Sequence, residues 1–499
     1  MGALEILCGV AAILVLLYYY LMSKYDFWKK RGVKGPEPIL FFGNGKDVLL
    51  TKISIGTYIH QLYKEFKKEP FIGVFLQRNP ALIVNDLDLV KDVLIKDFSN
   101  FIDRGVKIFE KPEPLGQHLF LLEAKRWRPL RVKLSPVFTS GKLKEMFYLI
   151  LECGNGFQKY LDQVTAKDPV LDCRDITSRF TTDVIGTCVF GLNLSSLSDD
   201  ESEFRRMGRK VFDTKLSNLL RNWFRDAFPW IYGNFGHYIF GTEVMDFFLN
   251  SIIGTMEYRK KNNVIRKDFL HMLMELRDNP EKIEDINLTD ELLASQAFVF
   301  FVAGFETSSM TMTHVLYELA LNQNVQDKLR AGIKEQIQKD NGAITYDGVK
   351  EMHYLDMVFK EALRKYPPIP FLFRQALNEY TFAGTNVTIP KEQVVWIPNY
   401  AFQMDPEIFP KPEEFNPERF TPEAEAERHP MAYLPFGDGP RNCIGSRFAM
   451  YQTKVGLIQI ILNYRVEVSE KTPIPYELNT RSFIISSKKD LYVKFSRIN

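Results

Sequence analysis

Apolar positions recur with helical spacing over several long stretches, about 52–67, 141–164, 171–189, 241–261, 291–322 and 446–463. Runs with strand character are fewer and shorter: Phe71–Leu76, Ala81–Val84 and Gln393–Ile397. This pattern predicts a mainly α body with a minor β-sheet region. The N-terminal run differs in kind. Residues 1–22 are apolar apart from Glu5 and carry Tyr18, Tyr19 and Tyr20 near their end. About 20 apolar residues suffice for a helix to cross a bilayer, and tyrosines suit the membrane–water interface. An acidic start and a bulky end argue against a cleaved secretory signal. Lys24, Lys29, Lys30, Arg31 and Lys34 follow, which places the rest of the chain on the cytosolic side. Gly35-Pro36-Glu37-Pro38 then reads as a stiff break. The expected organisation is a membrane anchor over 1–23, a basic, proline-containing hinge linker over 24–38, and one large domain over 39–499.

Composition narrows the class. With 45% hydrophobic and 25% charged residues, the 499-residue chain is globular rather than disordered. Lys and Arg number 64 against 62 Asp and Glu, which does not suit a nucleic-acid binder. The near-neutral sum hides opposed patches. Residues 121–144 hold seven Lys/Arg against Glu123, whereas 405–427 hold eight acids against Lys411 and Arg419. The five cysteines contain no Cys-x-x-Cys pair, so neither a disulfide framework nor a zinc site is expected. The seven histidines show no metal-binding spacing.

The most informative stretch is Pro435-Phe436-Gly437-Asp438-Gly439-Pro440-Arg441-Asn442-Cys443-Ile444-Gly445, followed at once by a helical pattern. Cys443 therefore sits in a glycine-rich turn at a helix N-terminus, where backbone N–H groups and the helix dipole favour a thiolate. No histidine lies beside it to serve a cysteine nucleophile. A lone buried cysteine does not need this loop. An axial thiolate on haem iron does, and fits best.

The match at Phe436, Gly437, Gly439, Arg441, Cys443 and Gly445 resembles the haem-binding signature of the cytochrome P450 monooxygenases. Further motifs agree with it. Glu361-Ala-Leu-Arg364 would by itself read as a surface pair; it resembles the family's Glu-x-x-Arg motif, with Arg419 downstream as the third member of a buried charged network. Ala303-Gly304-Phe305-Glu306-Thr307 lies in an apolar run that reads first as a core helix. It resembles the oxygen-activation motif, which implies Thr307 and Glu306 as catalytic residues that relay protons. Trp127-Arg-Pro-Leu-Arg131 resembles the family's Trp-x-x-x-Arg motif.

The resemblance implies a P450 fold around haem b. Cys443 would be the axial ligand to the iron. The haem would be held by Arg104, Trp127, Arg131, Ala303, Thr307, Arg374, Pro435, Phe436, Gly437, Arg441 and Gly445. Phe109, Leu119, Phe120, Phe212, Phe301, Ala303, Ile369, Phe371 and Ser482 would line a pocket for a lipophilic substrate. Electrons would come from NADPH through NADPH–cytochrome P450 reductase, docking on the basic segment 121–144, with cytochrome b5 as a further donor. The detail, including Phe138-Thr-Ser-Gly-Lys142, is most similar to insect microsomal members that metabolise foreign compounds at the endoplasmic reticulum membrane. Gly-Pro-Glu-Pro and Gln403 depart from common family forms. The competing readings are a haem-thiolate isomerase or dehydratase and a non-catalytic membrane haem protein.

Overall fold

A computed structural model describes residues 2–192, 197, 202–213, 215–266, 268–278 and 286–498. Its centre is the helix Asp290–Leu321. Thr289 caps the start by accepting the Leu292 N–H, and Asp290 and Glu291 complement the positive end of the helix dipole. By length and composition this helix is apolar enough to cross a membrane, but the protein buries most of it, so it is a core helix. The helices Cys173–Ile185, Glu243–Lys261, His353–Lys365 and Ser446–Asn463 pack around it. Close approach is built in at Gly304, where an added Cβ would lie 2.3 Å from Ile185 Cδ1.

The minor β content forms three sheets. The largest runs in the order β1 (Phe71–Leu76), β2 (Asn79–Val84), β7 (Val394–Ile397), β4 (Leu372–Gln375). Within it β2 and β7 are parallel and the other pairs antiparallel. A second sheet joins β3 (Val170–Asp172), β9 (Tyr492–Arg497) and β8 (Tyr464–Glu467), and a third pairs β5 (Tyr380–Thr381) with β6 (Thr388–Ile389). The fold is therefore mainly α with a small β region, as the hydrophobic pattern predicts.

Predicted and observed helices agree to within a few residues for Ile55–Glu65, Ser140–Thr165, Glu243–Lys261 and Ser446–Asn463. The stretch 171–189 divides. Asp172 ends β3 and caps the next helix by accepting the Arg174 N–H, and a wider turn over Gly186–Phe190 follows Ile185. The periodicity does not reveal Ala124–Leu134, which contains Pro129, or the helices Glu203–Val211, Leu216–Ala227 and Pro229–Ile239.

The N-terminal helix Ala3–Met22 projects apolar side chains outward; Leu7, Ile13, Leu16 and Tyr19 are all more than 60% exposed. The segment after it, read from the sequence as a basic, proline-containing hinge over 24–38, packs against the domain. Tyr25, Trp28 and Val33 are buried in the cluster that includes Phe75 and Leu82. Trp28 Nε1 donates to the Val74 carbonyl (3.0 Å), and Gly73 N–H donates to Lys34 O (2.8 Å). Gly73 leaves room for this docking, since a Cβ there would lie 2.3 Å from Trp28 Cγ. Apolar side chains interspersed among the lysines anchor the segment, which charge alone does not suggest.

Candidate active site

The loop before helix Ser446–Asn463 turns tightly because Gly437 and Gly439 both adopt positive φ, 68° and 73°. A Cβ at Gly439 would lie 1.9 Å from the Leu94 carbonyl oxygen, so only glycine fits there. Cys443 N–H donates to Phe436 O (2.9 Å), closing the loop. The thiol opens onto an internal cavity of about 860 Å³; its solvent exposure is exposure to this cavity. Burial raises the thiol pKa, and the Gly445 amide, Arg131 and Arg104 offset only part of that rise.

Four arginines converge on the same cavity: Arg104, Arg131, Arg374 and Arg441. Arg441 donates to Ile102 O and, at 2.6 Å, to Leu122 O, and its guanidinium lies 4.9 Å from the Trp127 ring centroid. Arg374 donates to Phe373 O (2.8 Å). Arg131, near the end of helix Ala124–Leu134, donates to the carbonyl (3.0 Å) and side-chain oxygen (2.9 Å) of Asn442. Arg104 stacks on Phe120 at 3.8 Å. Carboxylates do not balance this charge. Asp103 comes to 3.9 Å of Arg441, and the Nε atoms of Arg104, Arg374 and Arg441 are buried with no partner among the described residues. Burial first, then the neighbouring Arg441, lowers the pKa of Arg374 to about 9; burial and Arg131 lower that of Arg441 to about 10.

Buried like charges with orphaned donors are costly unless an anion completes them. Cluster and thiol together suit a ligand with more than one negative charge that also takes a sulfur donor. The propionates and iron of a haem meet both requirements. Pro435, Phe436, Gly437, Gly445, Trp127, Ala303 and Thr307 line the same cavity.

On the central helix, Thr307 Oγ1 donates to Ala303 O at 2.5 Å. Gln452 donates to the next carbonyl, Gly304 (3.0 Å), and Thr181 to that of Phe305 (3.1 Å). Three successive carbonyls thus accept side-chain donors, which loosens a helix turn. Glu306 does not share this face. It is 3% exposed, lies off the cavity wall and pairs with Arg174 at 2.5 Å. One residue along a helix is a turn of about 100°; Thr307 and Ser308 lie on the cavity side of this turn, and Glu306 lies on the side that meets Arg174.

The Glu361–Arg364–Arg419 network forms as the motif implies. Arg364 binds Glu361 through two bonds, 2.7 and 2.9 Å, with both side chains at 0% exposure. Arg419 Nε lies 3.4 Å from Glu361 Oε1. The network stands apart from the cavity wall.

Of the expected pocket residues, Leu119, Phe120, Phe212, Ala303, Ile369, Phe371 and Ser482 line the cavity. Phe109 and Phe301 do not, which corrects two expectations. Phe301 is fully buried and stacks on Phe305 (5.7 Å, 11°), on a different helix face from Ala303 and Thr307. Phe300, three positions before Ala303, takes the cavity position instead; helical spacing from Ala303 and Thr307 selects it. Phe109 packs edge-on to Tyr232 at 5.3 Å. Cavity-lining residues with no signature in the sequence include His118, Asn222 and Arg225.

Comparison with known proteins agrees with this geometry. The family profile described as Cytochrome P450 matches residues 33–495. The chain is 43% identical over 498 residues to cytochrome P450 6A1 of Musca domestica, covering 98% of this chain and 97% of the relative. It is 40% identical over 495 residues to cytochrome P450 6a8 of Drosophila melanogaster, covering 98% of both. Cytochrome P450 6j1 of Blattella germanica is 38% identical over 486 residues, covering 97% and 96%.

Proposed function

The chain belongs to the cytochrome P450 family and is an oxidoreductase of the monooxygenase type, and on that footing we propose how its residues divide the work. The family implies a haem. Cys443 ligates its iron, and Arg104, Arg131, Arg374 and Arg441, with Trp127, hold its anionic edge. The bound haem supplies activation of O2 and insertion of one oxygen atom into the substrate. The protein does the rest. The cavity, mostly apolar, takes a lipophilic molecule and displaces water from it. Thr307 presents its hydroxyl at the wall and hands on protons there. Glu306, held by Arg174 off that wall, positions the turn that carries Thr307.

The observation that carries this reading is one cavity holding a loop thiol, four under-neutralised guanidiniums and the Thr307 hydroxyl. It favours a monooxygenase over an isomerase, a dehydratase or a haem store, for which a proton-handling hydroxyl is superfluous. The test is the carbon-monoxide difference spectrum of the reduced protein, which reports thiolate ligation. The wild type gives the thiolate signal and Cys443→Ala loses it. A wild type without that signal overturns the assignment.

The electrons for this chemistry would come from NADPH through NADPH–cytochrome P450 reductase, with cytochrome b5 as a further donor. Within the basic segment, Arg126, Lys142 and Lys144 are paired with acids. Lys125, Arg128 and Lys133 make no ion pair among the described residues, which leaves them to meet an acidic partner. The helix at 1–23 anchors the protein in the endoplasmic reticulum membrane, with the domain 39–499 in the cytosol and the docked segment 24–38 fixing one to the other. A second apolar surface supports contact with the bilayer: Trp223, Trp230, Phe235, Tyr238 and Ile239 are each 47–80% exposed. Foreign compounds such as plant phenolics and insecticides, and endogenous lipids, match the apolar lining.

A further inference from the structure

The serine and threonine hydroxyls of the central helix Asp290–Leu321 are bonded, with one exception. Thr307, Thr311 and Thr313 each donate to the carbonyl four residues back, at 2.5, 2.8 and 2.8 Å. Ser295 donates to Leu292 O (2.7 Å), and Ser309 shares a bond with Thr177 Oγ1 (2.9 Å). Ser308 is the exception. It is 2% exposed and lines the cavity, yet its Oγ is buried with no partner among the described residues.

The cause lies on another helix. The acceptor four residues before Ser308 is the Gly304 carbonyl. A carbonyl has two lone pairs. Helix geometry gives one to the Ser308 N–H, and Gln452 Nε2 takes the other at 3.0 Å. Gln452 belongs to helix Ser446–Asn463, which begins where the Cys443 loop ends. It is 0% exposed, and its Oε1 is buried without a partner among the described residues. A half-satisfied amide is costly at a buried helix contact where methionine or leucine would fit. Such a breach of packing rules marks function.

Resting on the reading of Thr307 as the hydroxyl that hands on protons, we infer that Gln452 is a positioning residue for the reaction: by filling the Gly304 carbonyl it leaves the Ser308 hydroxyl free to hold a cavity water beside Thr307, and that water returns to Thr307 each proton it gives up. The Thr307 proton is engaged with Ala303 O, so Thr307 needs a neighbour that can both donate and accept. Ser308, unbonded and on the same stretch of cavity wall, is that neighbour. The balance closes without another reagent. Thr307 Oγ1 loses one proton into the cavity and gains one from the water on Ser308, and that water regains its own from solvent.

The test uses the full-length haem-loaded protein with NADPH and NADPH–cytochrome P450 reductase. Hydrogen peroxide released per NADPH consumed is measured, alongside urea unfolding of the same samples. Ser308→Ala raises the peroxide ratio roughly twofold or more, and Ser308→Thr, which keeps a hydroxyl, regains most of the wild-type ratio. Gln452→Met raises it as much as Ser308→Ala does, because Ser308 then bonds back to Gly304, and its urea midpoint stays level or rises. The double variant is no worse than either single one, since both changes silence the same hydroxyl. A wild-type ratio in Ser308→Ala, effects that add in the double variant, or a Gln452→Met protein that loses stability without releasing more peroxide overturns the inference. Thr307→Ala keeps the two readings apart. If it uncouples while Ser308→Ala does not, the role of Ser308 and Gln452 fails alone; if it stays fully coupled, the Thr307 reading beneath it fails.

Discussion

Arg364 and Gln403 bind each other reciprocally. Arg364 Nη1 donates to the Gln403 carbonyl at 2.8 Å, and the Gln403 side-chain amide donates back to the Arg364 carbonyl at 2.9 Å. Gln403 also donates to Leu363 O (3.1 Å), and its side-chain oxygen accepts the Leu434 N–H (3.3 Å). One amide thus caps the end of helix His353–Lys365 and ties it to the strand of chain that leads into the cysteine loop. The glutamine departs from a common family residue, yet every group around it is served.

Removing one member of this buried network strands charge. Glu361→Gln should cost about 3–5 kcal/mol, and Gln403→Ala about 1–3 kcal/mol. Guanidinium denaturation of each single variant and of the double variant checks this. The two effects should combine non-additively by about 0.5–3 kcal/mol because Arg364 serves both. Strict additivity would separate Gln403 from the network.

The arginine cluster should act with opposite sign in the two states of the protein. In the haem-free chain, Arg374→Leu relieves like-charge crowding and removes a buried orphan donor, so stability is unchanged or higher. In the loaded protein the same change speeds haem transfer to apomyoglobin at least tenfold. Slower or unchanged transfer would remove Arg374 from the haem site.

Asp405 gives a pH dependence. Burial alone would raise its pKa, but bonds from Lys67 (2.7 Å), Tyr63 Oη (2.6 Å) and the Glu407 N–H (2.9 Å) outweigh burial and hold it below the usual value. A depressed carboxylate stabilises the fold above its unfolded pKa and loses that contribution as pH falls through the folded value. The stability advantage of wild type over Asp405→Asn should be flat between about pH 5 and 7 and shrink below about pH 4. Urea midpoints across that range measure it.

Thr307→Ala should leave the carbon-monoxide spectrum intact and uncouple electron use from product, with more hydrogen peroxide released per NADPH consumed. Thr307→Ser should restore most of the coupling. Stoichiometry of NADPH, peroxide and product decides; full coupling in the alanine variant would contradict the role given to this hydroxyl.

Arg128→Glu and Lys133→Glu should slow reductase-driven turnover several-fold at low salt, with the difference fading as ionic strength rises. Turnover driven by a peroxide, which needs no reductase, should not change. A deficit of equal size in both assays would point to damage within the domain.

Much of this molecule is legible in its sequence because the signals are local. The Cys443 loop is a contiguous run whose glycines are required by its own backbone: Gly437 and Gly439 need positive φ. Long helices such as Ser446–Asn463 announce themselves by spacing. Glu361 and Arg364 meet because they are three residues apart on one helix. The rest depends on what distant segments bring. Nothing near Trp28 in the chain says that it will dock beneath Val74. Phe301 and Phe300 are the same residue type one step apart, and only the rotation of the central helix decides which faces the cavity. Glu306 turns from the wall to Arg174 for the same reason.

The sequence by itself determined the family, the thiolate loop and the mainly α body, because each rests on local spacing and backbone conformation. Only the tertiary structure decided the crowding of four arginines without matching acids, the docking of segment 24–38 and the hold of Gln452 on Gly304. Those depend on which charges and faces meet across hundreds of residues, and burial, not sequence distance, sets their energy.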